Sequence, residues 1–128
     1  MFHLEKYRID PSKGLEFGIY TLGDHLANPY TGERISAEQR IEEILELAVL
    51  AEQAGVDFFS VGESHQEYFT TQAHSVVLGA IAQATKKMKL GSSSTILSTS
   101  DPVRVYEDFA TIDLLSKGRA EIVAGRAS

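Results

Sequence analysis

KLGSSSTILSTSDPVRVYEDFATIDLLSKGRAEIVAG, residues 89–125, reads as strand, helix, strand in close succession. Leu90 and the run Thr95-Ile96-Leu97 frame a strand over 89–97 whose middle, Ser92 to Thr95, is small and hydroxylated. Asp101 is suited to cap a helix, and Pro102 stands at its first position, where a missing N–H costs nothing. Phe109, Ile112 and Asp113 carry the helix on to Lys117-Gly118, and AEIVAG, 120–125, follows as the next strand. Two strands joined through one crossover helix make a parallel β/α unit.

The same unit recurs upstream. LEFGIYTL, 15–22, is rich in aromatic and β-favouring residues and predicts a buried strand, and GDHLANPYTGER, 23–34, a loop. Ser36 then caps a helix with Gln39 at the capping-box position. Ile41, Ile44, Leu45, Ala48 and Ala51 repeat at three and four, and Gly55 closes the helix as a left-handed residue. VDFFSVG, 56–62, is a second strand and ESHQEYFTTQ a polar loop. A helix over 74–86 buries Val77, Ala80, Ile81 and Ala84 on one side. A repeat of roughly 30–40 residues per unit is α/β with parallel strands. A doubly wound sheet and a (β/α)8 barrel both fit. No Gly-x-Gly-x-x-Gly follows the first strand and no Walker A sequence is present, so neither phosphate-binding fingerprint applies.

Composition bounds the function. The chain has 128 residues, 43% of them hydrophobic and 23% charged, as in an ordinary globular domain. A net charge of −6 argues against a nucleic-acid surface, which needs clustered cations. The one basic cluster, Lys86-Lys87-Met88-Lys89, suits the C-terminal end of a helix. With no cysteine, disulfides, thiolate metal sites and a Cys nucleophile are excluded. Residues 1–14 read as a polar lead-in with no signal-peptide character, and no run suits a membrane span, so a cytoplasmic location is expected.

Parallel strands place chemistry at their C-terminal ends. There lie Tyr20, Thr21 and Gly23; Glu63, Ser64 and His65; Ser93, Ser94 and Thr95; and Gly125 and Arg126. Glu63 and His65, two apart, fit an acid/base pair, part of a metal site, or a carboxylate holding loop amides beside a rim histidine. Arg126 suits an anion or a surface ion pair, and Arg119 in the helix-to-strand turn suits support of the fold at the opposite rim. His74 suits the start of the second helix, His25 a loop folding over a site, and His3 a solvated position. The serine run fits a nucleophile, a slack edge strand, or a floor against which something flat lies, although no nucleophile elbow surrounds it.

FGIYTLGD, VGESHQEYF and LGSSSTILSTSDPVRVYEDFATIDLLSKGRAEIVAGRAS together resemble the luciferase-like monooxygenases, flavin-dependent oxidoreductases related to bacterial luciferase. The resemblance runs from about residue 15 onward and implies a (β/α)8 TIM barrel, often dimeric. It implies FMN, or coenzyme F420 in a subgroup, at the C-terminal rim, where reduced flavin and dioxygen oxidise a small organic substrate such as an aldehyde. By resemblance, Ser93 and Ser94 fall at a bulge or non-proline cis peptide under the flavin ring, and Arg126 and Thr21 near the flavin; Glu63 and His65, read as an acid/base pair, are the expected catalytic residues. Many members carry Glu-His-His where this chain has Glu63-Ser64-His65; a serine does not titrate near neutral pH, so Ser64 brings no proton chemistry of the histidine's kind.

A barrel takes about 250 residues, so the chain is expected to form one domain over 1–128 making roughly the first half of a barrel, a fragment or truncated product. The whole is expected to be an oxidoreductase, with a non-catalytic flavin-binding or interaction protein on the same scaffold as the alternative. The expected partners are reduced flavin and a small-molecule substrate. The piece alone is expected to bind flavin weakly and to self-associate through its open edge strands.

Overall fold

A computed structural model describes residues 10–127; the solvated position expected for His3 lies outside them. The chain runs β1 (Gly18–Thr21), α1 (Ala37–Gln53), β2 (Phe58–Val61), α2 (His74–Ala84), β3 (Lys89–Ser92), β4 (Thr95–Ile96), α3 (Pro102–Ser116), β5 (Ala120–Glu121) and β6 (Ala124–Gly125). Four strands form one sheet in the order β1-β2-β3-β5, every pairing parallel. β4 and β6 pair in parallel beyond its C-terminal rim. The α/β class with parallel β/α units, read from the sequence, is the architecture found.

The helix boundaries follow from local chemistry. The Ser36 hydroxyl accepts the Gln39 amide, while the Gln39 side chain turns to Glu43 instead of completing a capping box. At the far end the Val56 amide reaches the Ala51 carbonyl and the Gly55 amide the Glu52 carbonyl, with Gly55 at φ +82°. That is a Schellman closure, and its left-handed residue favours glycine. The Asp101 carboxylate accepts the amides of Val103 and Arg104 to start α3.

Helices α1, α2 and α3 pack on one face of the sheet. Phe59, Val61 and Leu90 from the strands meet Ile44, Ala48 and Ala51 of α1, Val77, Leu78, Ile81 and Ala82 of α2 and Ile112 of α3. The stripe predicted for α2 is corrected at two positions: Leu78 and Ala82 are buried, whereas Ala80 and Ala84 are exposed. The buried face is 74, 77, 78, 81, 82, the regular three-and-four spacing of a helix packed on a sheet. Along β1, Ile19 and Thr21 turn toward the helices, while Gly18 and Tyr20 alternate to the other face and are exposed.

The predicted strands 89–97 and 120–125 are each found in two pieces. The β3–β5 ladder ends at Gly91 and Glu121. Beyond it the Ser92 hydroxyl accepts the Val123 amide at 3.1 Å and donates to the Val123 carbonyl at 3.3 Å. A short hydroxylated side chain thus stands in for a backbone pair where the strands diverge. The peptide between Ser93 and Ser94 is cis, as the resemblance implied, and pairing resumes with the Thr95 amide on the Val123 carbonyl.

The opposite rim is held by two charged side chains. The Glu52 carboxylate accepts the amides of Lys86, Lys87 and Met88, tying α1 to the turn before β3. Arg119 donates to the carbonyls of Ser116, Met88, Ala82 and Thr85 and to the Thr85 hydroxyl. It therefore satisfies carbonyls at the end of α2, in the supporting role expected of it. Of the basic cluster, only Lys86 sends its ammonium to the end of α2, at the Gln83 carbonyl; Lys89 pairs with Glu16 instead. No described helix is long and apolar enough to cross a membrane.

Candidate functional site

The C-terminal rim is assembled around Glu63. Its amide donates to the Ser94 carbonyl at 3.2 Å, fixing the loop after β2 to the residue before β4. Its carboxylate then bridges two partners: Oε2 accepts the Ile96 amide at 2.7 Å, and Oε1 lies 2.7 Å from His65 Nε2. Burial alone raises the Glu63 carboxyl, but the His65 and Ile96 hydrogen bonds and the nearby imidazoles outweigh it, so the group sits below its ordinary value. An ionised carboxylate only accepts, so His65 Nε2 carries the proton of that bond. His65 Nδ1 makes no hydrogen bond among the described residues.

Glu63, Ser64 and His65 line an open cleft of about 560 Å³, closed on its other sides by Gln66, Ile96, Thr99, Ser100 and Ala127. Of the six residues singled out in the sequence, Glu63 and His65 are thus hydrogen-bonded to each other, and Ser93 and Ser94 adjoin them through the Glu63 amide. The hydroxyls of Ser93 and Ser94 make no hydrogen bond among the described residues. Gly62 and Gly125 pack against these serines; a Cβ on Gly62 would lie 2.8 Å from the Ser93 carbonyl oxygen, and one on Gly125 would collide with the Ser94 side chain. The rim here has no room for bulk.

Arg126 is exposed next to Ala127 at the cleft edge; its guanidinium bonds the Ala127 carbonyl and has no carboxylate partner among the described residues. Thr21 is placed differently. It is buried and its hydroxyl accepts the Gly23 amide, so its side chain shapes the turn after β1 and is not free at the surface. Its carbonyl accepts the Gly62 amide, linking that turn to the rest of the rim. His25 bonds the Ile35 carbonyl within its own loop and does not reach the cleft.

In the sequence His74 suits the start of the second helix. It does begin α2, but it is buried, with Nε2 2.9 Å from the Thr95 hydroxyl and Nδ1 3.8 Å from Glu63 Oε2. Burial is the main cause holding its imidazole below the ordinary histidine value, against the opposing pull of Glu63 and Asp108. The signal was topological: a helix that follows a parallel strand starts at that strand's C-terminal rim. No cluster of His, Cys, Asp and Glu suited to a metal ion occurs among the described residues.

The model of the luciferase-like monooxygenase family matches residues 15–128. Among curated relatives, the N-acetyl-S-alkylcysteine monooxygenase of Bacillus subtilis is 31% identical over 97 residues, 75% of this chain and 29% of that protein. Among solved structures, the monooxygenase RslO1 from Streptomyces bottropensis superposes with a TM-score of 0.77 at 28% identity, covering 89% of this chain and 34% of that one. The coenzyme F420-dependent tetrahydromethanopterin reductase of Methanopyrus kandleri gives 0.68 at 27% identity, covering 89% and 28%. The chain belongs to the luciferase-like monooxygenase family, whose solved neighbours are TIM barrels, and it spans about a third of the length of these relatives.

Proposed function

We propose, with membership of the luciferase-like monooxygenase family as the premise, that this chain builds part of the site where a reduced flavin and dioxygen oxidise a small organic substrate. The observation that carries the reading is the ionised Glu63 bound to His65 at a cleft, with the Glu63 amide tied to Ser94 of a small serine pair whose hydroxyls make no hydrogen bond among the described residues. That donor set suits a flat ring with a hydrogen-bonding edge: small side chains admit it to the backbone, and the hydroxyls bond its rim. Arg126, lacking a carboxylate partner among the described residues, suits an anionic group. FMN is the proposed cofactor, and coenzyme F420 the alternative that the similarity to the Methanopyrus reductase supports.

When bound, the flavin supplies the electrons and the reaction with dioxygen. The protein's part is positioning and proton handling. Glu63 fixes the His65 tautomer so that Nδ1 faces solvent or substrate as an acceptor, and His65 takes a proton there. Thr21 contributes by holding the Gly23 turn. β1 and β5 are the two edges of the sheet, each with an unpaired side among the described residues, which supports self-association or pairing with further β/α units.

The test is oxygen uptake by the intact protein supplied with reduced FMN and, separately, reduced F420. Uptake that requires a small organic co-substrate and falls in His65→Asn supports the assignment. Flavin binding with no uptake supports the non-catalytic alternative, and no flavin binding removes both.

A further inference from the structure

The Glu63 carboxylate has two imidazoles around it, one at the cleft and one in the core. The side chain of Glu63 is only 7% exposed, that of His74 8%, and that of His65 60%. Oε1 holds His65, and Oε2 holds the Ile96 amide while facing His74 Nδ1 at 3.8 Å. The other His74 nitrogen is fixed on Thr95, two residues beyond Ser93 and one beyond Ser94. His74 therefore touches the carboxylate's surroundings and the strand that carries the serines, but not the cleft, whose walls do not include it.

We propose that His74 is a positioning residue of this site: with His65 it shares the Glu63 carboxylate, so that a proton taken up in the core alters the group that aims the histidine at the cleft. This deepens the function proposed above and rests on it for its chemical meaning. The physical basis is that one carboxylate cannot serve two imidazolium groups as strongly as one. Protonation of His74 draws Oε2 and weakens the hold on His65.

The groups facing His74 are few. Glu63 and His65 lie on the loop after β2, Thr95 on β4, and Asp108 on α3, where its Oδ2 accepts the Ser75 hydroxyl at 3.0 Å. The Phe109 ring packs beside the imidazole with centroids 6.1 Å apart. Burial dominates and keeps the ring neutral under ordinary conditions; Glu63 and Asp108 favour a charged His74, and His65 opposes it. The arrangement is thus neutral in the core until the medium is acid, and the proton that enters there is felt at the rim.

The experiment is a titration of ¹⁵N-histidine-labelled protein followed by NMR from about pH 8 to about pH 4, without flavin. The wild-type His65 ring nitrogens are expected to show an extra inflection at the His74 midpoint. In His74→Gln, whose amide can still reach Thr95, that inflection is absent. Glu63→Gln is expected to move the His74 midpoint further down, because an opposite charge is lost. A wild-type His65 signal that ignores the His74 midpoint, or a His74 midpoint that Glu63→Gln leaves in place, overturns the proposal. The wild-type titration decides even if a variant does not fold. Because no flavin is used, failure here is distinct from failure of the flavin-dependent reading.

Discussion

Replacing Glu63 should destabilise the protein in a graded and pH-dependent way. The carboxylate accepts the Ile96 amide at 2.7 Å in a largely buried setting. A hydrogen bond to a charged acceptor contributes about 1.5–3 kcal/mol, and an amide left without a partner costs about 1–3 kcal/mol. The His65 bond adds little, because that ring is mostly exposed and such pairs contribute about 0–1 kcal/mol. Glu63→Ala is therefore expected to lose about 3 kcal/mol, which for a domain of this size lowers Tm by about 10 °C. Glu63→Gln keeps an acceptor for Ile96 and loses only charge assistance, so about 1 kcal/mol is expected. The native carboxyl sits below its ordinary value, so the charged bond stabilises fully above the unfolded value near pH 4.3. The gap between wild type and Glu63→Gln should accordingly shrink as the pH falls through the lowered native value. Urea unfolding followed by circular dichroism, at neutral pH and in acid, measures all of this. Glu63→Ala within about 0.5 kcal/mol of wild type at neutral pH, or a Glu63→Gln gap that widens in acid, would mean that the charged carboxylate does not hold the Ile96 amide.

Other outcomes follow from neighbouring contacts. Gly125→Val drives a side chain into Ser94 and should destabilise by about 1–3 kcal/mol and weaken flavin binding, read by urea unfolding and by FMN fluorescence titration. Arg119→Ala removes five hydrogen bonds at the opposite rim. It should cost about 3 kcal/mol in unfolding experiments while changing flavin affinity of the folded protein by less than about twofold. His74 is neutral and buried, with its native value depressed, so the unfolded chain binds the extra proton first. Stability should fall as the pH drops from about 6.5 toward that native value, and His74→Gln should flatten this segment of a melting-temperature profile.

The sequence carried the architecture well because its signals are local. Ser36, Gly55 and Asp101 mark helix ends through hydrogen bonds to residues at most five positions away, and the structure uses all three. The rim ends of the strands were legible for the same reason: strand direction fixes which end is which. The register of α2 was half legible, since both Ala80 and Leu78 continue a helical stripe and only the sheet beneath decides between them. Contacts across the fold were not legible. The Ser92 hydroxyl replacing a ladder pair, the Glu63 carboxylate reaching Ile96 and His74 turning onto Thr95 span 21 to 33 positions in sequence. Residue type alone gave Glu63 and His65 as a pair two apart on one strand end; it gave no sign that a second imidazole shares the carboxylate. Thr21 shows the converse limit, because a hydroxyl at the rim is available only if its own turn does not consume it.

The Ser93-Ser94 rim, with Glu63 and His65 beside it, is proposed to serve a flavin. Quenching of FMN fluorescence on titration with intact protein tests it most directly, with coenzyme F420 titrated in parallel. Saturable quenching by one of the two cofactors is expected, weakened about tenfold or more when Gly125→Val drives a side chain into Ser94. No saturable signal with either cofactor, or an affinity that Gly125→Val leaves unchanged in a folded protein, would contradict it.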